Sequence, residues 1–264
     1  MRIKIVIAGP RGRMGQEAVK MVLDEPDFQL VGCIDRKDKE VQVPFLAEKG
    51  IPVYRDAEEC FYAQEVDVLI DLTVAESSYD YVMMALRKQI RCVVGTTGFS
   101  NEQLQTMKAT AKENSTGCII APNFALGAIL MMHFSKIAAK FFPDIEIIEK
   151  HHDQKIDAPS GTAIKTAEMI KNVRNSKIQG HPDEVETMQG ARGASDDGIR
   201  IHSLRLPGLV AHQEVIFGGE GQTLTIKHDS MNRKSFMEGI KLSVQQVMNL
   251  KEYVYGLENV LDLA

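Results

Sequence analysis

The chain has 264 residues, of which 44% are hydrophobic and 25% charged, and a formal net charge of −5. These proportions exclude a fibre or a disordered tail and leave room for two domains with a proper core. The acidic balance, with a pI near 5.8, argues against nucleic acid as the main partner, because a phosphate-binding face usually shows as a basic surplus.

Cys33, Cys60, Cys92 and Cys118 stand far apart and form no C-x-x-C pair. They are expected to be reduced, mostly buried thiols, which favours the cytoplasm. The opening Met-Arg-Ile-Lys-Ile-Val-Ile is ended by Gly9 and Pro10, too soon for a signal or a membrane span, so no membrane partner is expected.

Ile3, Ile5, Val6, Ile7 and Ala8 make the nearly continuous apolar run of a strand covered by helices on both faces. Gly9-Pro10-Arg11-Gly12-Arg13-Met14-Gly15 follows at once, with glycines at its first, fourth and seventh positions, and a helix is predicted over 16–23. Strand, glycine loop and helix open a dinucleotide fold. The glycines let the main chain turn tightly and approach a pyrophosphate, whose charge then sits on the helix N-terminus. A strand over 28–34 ends on Asp35, where an acid binds the adenine-ribose hydroxyls of NAD, while Arg36 and Lys37 suit the 2′-phosphate of NADP. The expected cofactor is therefore NADH or NADPH.

A loop is predicted over 38–50, a short strand over 51–54 and a short helix over 57–63. Strands over 66–73, 91–94 and 117–121 then alternate with helices over 77–89 and 101–114. That alternation implies a Rossmann-like, doubly wound parallel sheet, α/β in class. Ligands on such a sheet lie beyond the carboxyl ends of its strands, where Thr73, Gly95-Thr96-Thr97 and Ala121-Pro122-Asn123-Phe124 fall. The last two segments are expected to place a nicotinamide ring.

The helix predicted over 127–142 leads to no further regular βα unit, so a boundary falls just before it. The expected organisation is a dinucleotide-binding domain, 1–122 with 232–264, and a smaller α+β domain for substrate binding and oligomerisation, 123–231. The smaller domain holds a strand over 145–151, a helix over 162–173 and a polar loop over 175–198. Three alternating strands follow, over 199–206, 210–217 and 222–228, read as a hairpin meander. With the strand over 145–151 they make an open mixed or antiparallel sheet carrying a site loop at one edge. Such an exposed sheet invites burial against partner subunits, so a symmetric homo-oligomer is expected. An amphipathic helix over 233–250 and a tail over 253–263 bring the chain back to the first domain.

That site loop is the stretch EKHHDQKIDAPSGTA, residues 149–163. A histidine at a strand end, as His151 is, can give or take a proton, while a lysine four residues on, Lys155, can hold a carboxylate or a developing negative charge. Asp157-Ala158-Pro159-Ser160 reads as a turn into a helix start. The N–H groups around Gly161 and Thr162 then form an anion cradle at the positive helix end. No metal set is expected, because His151 and His152 point to opposite faces of a strand and nothing nearby adds ligands.

Four motifs carry a resemblance: IAGPRGRMG (7–15), VGTTG (94–98), APNF (121–124) and the stretch 149–163, with HSLRLPGLVAHQEVIF (202–217) in support. Together they make the chain similar to the bacterial dihydrodipicolinate reductase family, the 4-hydroxy-tetrahydrodipicolinate reductases of the diaminopimelate route to lysine. The resemblance implies NAD(P)H-dependent reduction of an unsaturated cyclic dicarboxylate, formed from the hydroxy precursor, to tetrahydrodipicolinate. It makes Gly9, Pro10, Arg11, Gly12, Arg13 and Met14 the pyrophosphate loop, Asp35 and Arg36 the adenosine-ribose contacts, and Gly95 to Thr97 with Ala121 to Phe124 the nicotinamide contacts. It makes His151 the proton donor, Lys155 the second catalytic residue, and His152, Gly161 and Thr162 the carboxylate binders of a homotetrameric enzyme. The chain departs mildly from the family at Pro10-Arg11 and at Asp35, which leaves the choice between NADH and NADPH open. Two other readings stand beside it: a Rossmann dehydrogenase acting on a semialdehyde, which needs a reactive cysteine, and a dinucleotide-sensing regulator without catalysis.

Overall fold

A computed structural model describes residues 1–36 and 44–261; Lys37, expected near the nucleotide ribose, lies outside the described residues. The chain divides into two compact units, Met1–Phe124 with Phe236–Ala264, and Ala125–Ser235.

The first unit alternates strand and helix in chain order: β1 (Ile3–Ala8), α1 (Arg13–Asp24), β2 (Phe28–Ile34), α2 (Pro44–Glu48), β3 (Val53–Tyr54), α3 (Ala57–Ala63), β4 (Val68–Asp71), α4 (Ala75–Arg87), β5 (Arg91–Val94), α5 (Asn101–Glu113) and β6 (Cys118–Ile120). Ile5, Val6 and Ile7 on β1, Leu69 and Ile70 on β4, and Cys92, Val93 and Val94 on β5 are wholly buried. Burial on both faces is what continuous apolar runs, lacking polar alternation, require of parallel strands. Helix α1 presents Gly15, Ala18, Val19 and Val22 to the sheet, small residues mixed with β-branched ones, so the helix packs close.

The second unit contains α6 (Leu126–Ala138), β7 (Asp144–His151), α7 (Gly161–Lys171), β8 (Ala194–Asp196), β9 (Ile199–Arg205), β10 (Ala211–Gly219) and β11 (Gln222–Ser230). Its sheet is mixed, in the order β11-β10-β7-β9-β8. Ile145 and Ile147 on β7, Ile199 and Ile201 on β9, and Val215 and Phe217 on β10 form its core with Ala163, Ala167 and Ile170 of α7. The chain then re-enters the first unit with α8 (Met237–Val247) and β12 (Tyr253–Tyr255), which pairs in parallel with β6. The completed first sheet reads β12-β6-β5-β4-β1-β2-β3. Strand order reverses at β1, between β4 and β2, and that is where a doubly wound sheet opens its ligand crevice.

Several local expectations are corrected. The three strands over 199–228 are not a meander: only β10 and β11 form a hairpin, while β9 pairs in parallel with β7, which lies between β9 and β10. β7 takes the centre of the sheet and pairs on both edges. The site loop therefore leaves the middle of the sheet and not its edge. Within the segment read as loop over 175–198, β8 pairs antiparallel with β9 through the turn Asp197-Gly198, both residues at positive φ. The Asp-Gly pair is the signal for that two-residue hairpin. Within the loop over 38–50, α2 buries Leu46. The strand over 51–54 shrinks to two residues because Pro52 has no N–H to give a ladder and contributes only its carbonyl, to the Cys33 N–H at 2.9 Å. The last helix opens with a 3₁₀ turn, Arg233–Phe236, before α8 begins.

Candidate active site

In the first unit the glycine loop is set by sterics. Gly9 turns at φ +82°, a left-handed value that a side chain disfavours, and a Cβ there would sit 3.0 Å from the Leu72 carbonyl oxygen. At Gly15 a Cβ would stand 2.0 Å from the Gly9 carbonyl oxygen, so helix α1 starts against the loop with no room for a side chain. Helix α1 has Gly12 at its N-cap, no side-chain cap and no acidic residue in its first turn. Its leading N–H groups and positive dipole end are thus kept for an anion.

Gly9, Arg11, Gly12, Asp35, Arg36, Thr73 and Tyr81 share the wall of one cavity of about 570 Å³. Across it Arg11 clamps Asp35 by two parallel bonds, Nε to Oδ2 at 2.5 Å and Nη2 to Oδ1. Such a fork is the strong, geometry-fixing form of an ion pair. Arg36 lies with its guanidinium carbon 5.3 Å from the Tyr81 ring centroid and donates from Nε to the Tyr81 hydroxyl at 3.1 Å. A cradle that a Cβ would fill, an uncapped helix start and two guanidinium groups as donors, with one carboxylate as acceptor, fit a dinucleotide. Pro10, Arg13 and Met14 belong to the same loop but do not line this cavity.

Gly95 to Thr97 and Ala121 to Phe124 stand at the C-terminal ends of β5 and β6, neighbours in the sheet, and also lie outside that cavity. Asp71, wholly buried at the end of β4, ties Thr96 of the first segment to Thr73 on the cavity wall. Its Oδ1 accepts from the Thr73 N–H at 2.8 Å, the Thr73 hydroxyl at 2.6 Å and the Thr96 hydroxyl at 3.3 Å. Burial pushes the Asp71 carboxyl above its ordinary range, against the pull of these hydrogen bonds. Thr96 is buried, Thr97 exposed, and Phe124 buried beside Gly95, where a Cβ would meet its ring at 3.0 Å.

In the second unit, one face of β7, β9 and β10 changes character along its length. Ile145 and Ile147, Ile199 and Ile201, and Phe217 and Val215 give way to Glu149 and His151, Ser203 and Arg205, and Gln213 and Ala211, in mutual register. The period of two keeps all of them on one side of the sheet. Glu149, wholly buried, accepts from His151 Nδ1 at 2.6 Å, from Arg205 Nη1 at 2.9 Å and Nη2 at 2.7 Å, and from the Ser160 N–H at 3.2 Å. Burial alone would raise its pKa. The bonds from His151, Arg205 and Ser203 outweigh burial and bring the pKa down to about 2.

Arg205 Nη2 also donates to the Asp157 carbonyl at 2.7 Å, and Asp157 Oδ1 accepts from Lys155 Nζ at 2.6 Å. One hydrogen-bonded chain therefore runs His151–Glu149–Arg205–Asp157–Lys155. Ser160 caps α7 by accepting the Ala163 N–H, and the first intrahelical bond reaches Ile164. The N–H groups of Gly161 and Thr162 are left without intrahelical acceptors. A Cβ on Gly161 would meet nothing within 4 Å, so the cradle opens on free space. The structure thus joins His151 and Lys155 with the start of α7. The side chain of His152 is exposed and makes none of these contacts.

Two consequences are measurable. Gly161→Val should fold normally, having space for its side chain, yet raise the substrate KM about tenfold or more by filling the cradle; an unchanged KM contradicts the cradle. The folded-state pKa of Glu149, about 2, lies below its ordinary 4.5. Its stabilisation is therefore complete above pH 4.5 and lost as pH falls through about 2, amounting to on the order of 3 kcal/mol. Denaturant midpoints measured down that window should fall in the wild type and stay flatter in Glu149→Gln.

Asp71, Tyr81, Glu149 and Arg205 are site residues that motif reading passed over. For Glu149 a signal existed: it shares strand parity with Ile145 and Ile147, so its carboxylate had to face the core and find partners there. The four cysteines are free thiols, all buried. Burial pushes Cys33 and Cys60 up to about 12, far from the reactive thiolate a semialdehyde dehydrogenase requires. Among the described residues no helix is long and apolar enough to cross a membrane.

Known proteins resemble both units of the chain. The family model described as "Dihydrodipicolinate reductase, N-terminus" matches residues 3–124, and "Dihydrodipicolinate reductase, C-terminus" matches 127–261. The chain is 60% identical to the 4-hydroxy-tetrahydrodipicolinate reductase of Oceanobacillus iheyensis, over 99% of this chain and all of that one. It is 56% identical to that of Bacillus cereus strain AH187, over 98% and 99%. Its fold superimposes with a TM-score of 0.91 on the dipicolinate-bound dihydrodipicolinate reductase of Paenisporosarcina sp. TG-14, at 53% identity, covering 99% of this chain and 100% of that one. With both halves matched end to end, the chain belongs to the dihydrodipicolinate reductase family.

Proposed function

We propose that this chain reduces the unsaturated cyclic dicarboxylate derived from 4-hydroxy-tetrahydrodipicolinate to tetrahydrodipicolinate, in the diaminopimelate route to lysine, with NADH or NADPH as reductant. The observation that carries this is the hydrogen-bonded chain from His151 to Lys155 set beside the open start of α7. It supports reading His151 as a proton carrier, Lys155 as a fixed cation and the start of α7 as an anion cradle on one small unit. Support for the substrate class comes from the relative that binds dipicolinate, itself a cyclic dicarboxylate.

The first unit, 1–122 with 232–264 by the sequence boundaries, is the nucleotide-binding domain in this reading. Gly9 to Met14 hold the pyrophosphate, Asp35 and Arg36 the adenosine ribose, and Gly95 to Thr97 with Ala121 to Phe124 the nicotinamide end. Asp35 serves ribose hydroxyls while Arg11 and Arg36 serve a 2′-phosphate, so both nucleotides are used. A bound reduced nicotinamide supplies the hydride.

The domain over 123–231 binds the substrate. Gly161 and Thr162 anchor one carboxylate through main-chain N–H groups, and His152 turns to the other. Hydride addition to the conjugated imine leaves a pair of electrons spread over carbon and nitrogen. The Lys155 ammonium stabilises that charge, and His151 gives one proton to complete the reduction. Hydride and proton together balance the two-electron step. Exposed Leu204, Leu206 and Leu224, on and beside β9 and β11, support assembly into a homotetramer. The four buried thiols suit the cytoplasm.

The test is spectrophotometric. Freshly made substrate should drive oxidation of both NADH and NADPH by the purified chain. Oxidation of neither would contradict the reading, and nucleotide binding without turnover would favour a sensing role.

A further inference from the structure

His151 does not stand alone on its strand. Its Nδ1 lies 2.6 Å from Glu149 Oε2, and that carboxylate is wholly buried, forked by Arg205 and tied to the Ser160 N–H. Glu149 of its own strand touches the imidazole, and Arg205 on β9 and Ala211 on β10 are its register partners. Arg205 and Ser203 bond the same carboxylate, and Asp157 and Lys155 follow on from Arg205. An ionised carboxylate only accepts, so the Nδ1 end of the contact must be the donor. A neutral His151 then carries its proton on Nδ1, and Nε2 is the nitrogen left to exchange a proton with a ligand.

Resting on the assignment of His151 as proton donor, we propose that Glu149 and Arg205 are positioning residues. Glu149 fixes the tautomer and ring plane of His151, and Arg205 keeps Glu149 from taking the proton that His151 must deliver.

The Arg205 fork occupies both oxygens of Glu149, so the charge of the carboxylate is balanced by a group that never titrates in the working range. The carboxylate can then stabilise an imidazolium without itself becoming the proton's destination, as an oriented acid–base pair demands. The same fork reaches the Asp157 carbonyl and through Asp157 the Lys155 ammonium. Proton donor and cation are thereby held in one frame.

Glu149→Gln keeps the shape but removes the charge. It should lower kcat about 100-fold while changing the substrate KM far less, and shift the alkaline limb of the pH–rate profile about one unit to lower pH. In a His151→Ala background the same change should cost nothing further. A wild-type pH profile in Glu149→Gln, or full additivity with His151→Ala, would overturn the positioning role. Should Glu149→Gln not fold, nitrogen-15 NMR of the wild-type histidines decides, with His151 assigned by its loss in His151→Ala: the Nδ1–H tautomer is expected, and an Nε2–H tautomer refutes it. Full turnover by His151→Ala would remove the donor assignment itself, an outcome distinct from either.

Discussion

Lys155→Ala is expected to lower kcat by about 10²-fold to 10⁴-fold and to leave the Kd for NADH and NADPH within about twofold. The Lys155 side chain is 20% exposed, and Asp157 holds its ammonium at 2.6 Å. Its position is thus set before substrate arrives, and a preorganised cation contributes most where negative charge develops. The side chain belongs to the second unit, whereas Gly9, Arg11, Asp35 and Arg36 are grouped in the first. Nucleotide affinity should therefore be spared. Stopped-flow single-turnover rates, with nucleotide titrations followed by fluorescence, separate the two quantities. Unchanged turnover would take Lys155 out of the chemistry, and a large loss of nucleotide affinity would take it out of the substrate site.

The second large effect is structural. Gly15→Ala sets a Cβ 2.0 Å from the Gly9 carbonyl oxygen and 2.9 Å from Pro10 Cα. All of these are backbone atoms, so no side-chain rotation relieves the clash, and the loop or the start of α1 must move. Overpacking of this kind costs on the order of 3 kcal/mol. It also spoils the cradle, so nucleotide binding should weaken about tenfold or more. Thermal unfolding with and without NADH measures both. A variant with unaltered Tm and the same nucleotide-induced rise in Tm would contradict the geometry assigned to the loop.

The first unit was largely legible in the sequence because its rules are local. Apolar runs such as Ile5 to Ala8 and Val68 to Ile70 can be buried on both faces only by parallel strands between helices. Glycine at 9, 12 and 15 has few other uses between a strand and a helix. The second sheet was less legible for the opposite reason. Its strand order depends on which strand takes the centre, and β7 captures β9 on one side and β10 on the other although β9 and β10 are adjacent in the chain. Turn signals at Pro207-Gly208 report a reversal but not the strand that the chain steps past. At that crossing Leu206 donates its N–H to the His151 carbonyl.

The same distinction holds for the site. His151, Lys155, Gly161 and Thr162 were readable as one segment. Arg205 was not, since only the parallel pairing of β7 with β9 brings it to Glu149. Likewise the Arg11–Asp35 fork joins a loop to a strand end 24 residues away; sequence offered both residues as candidates but not their pairing. In the proposed nucleotide role of Asp35, a ribose hydroxyl meets a carboxylate already shared with a guanidinium.

The most direct test of the account is the mass of the product formed with nucleotide doubly deuterated at the reactive ring carbon, in ordinary water. Transfer of hydride from nucleotide to the cyclic dicarboxylate predicts tetrahydrodipicolinate carrying one deuterium per nucleotide oxidised. Product without the label, or label retained in the oxidised nucleotide with none passed on, would contradict it.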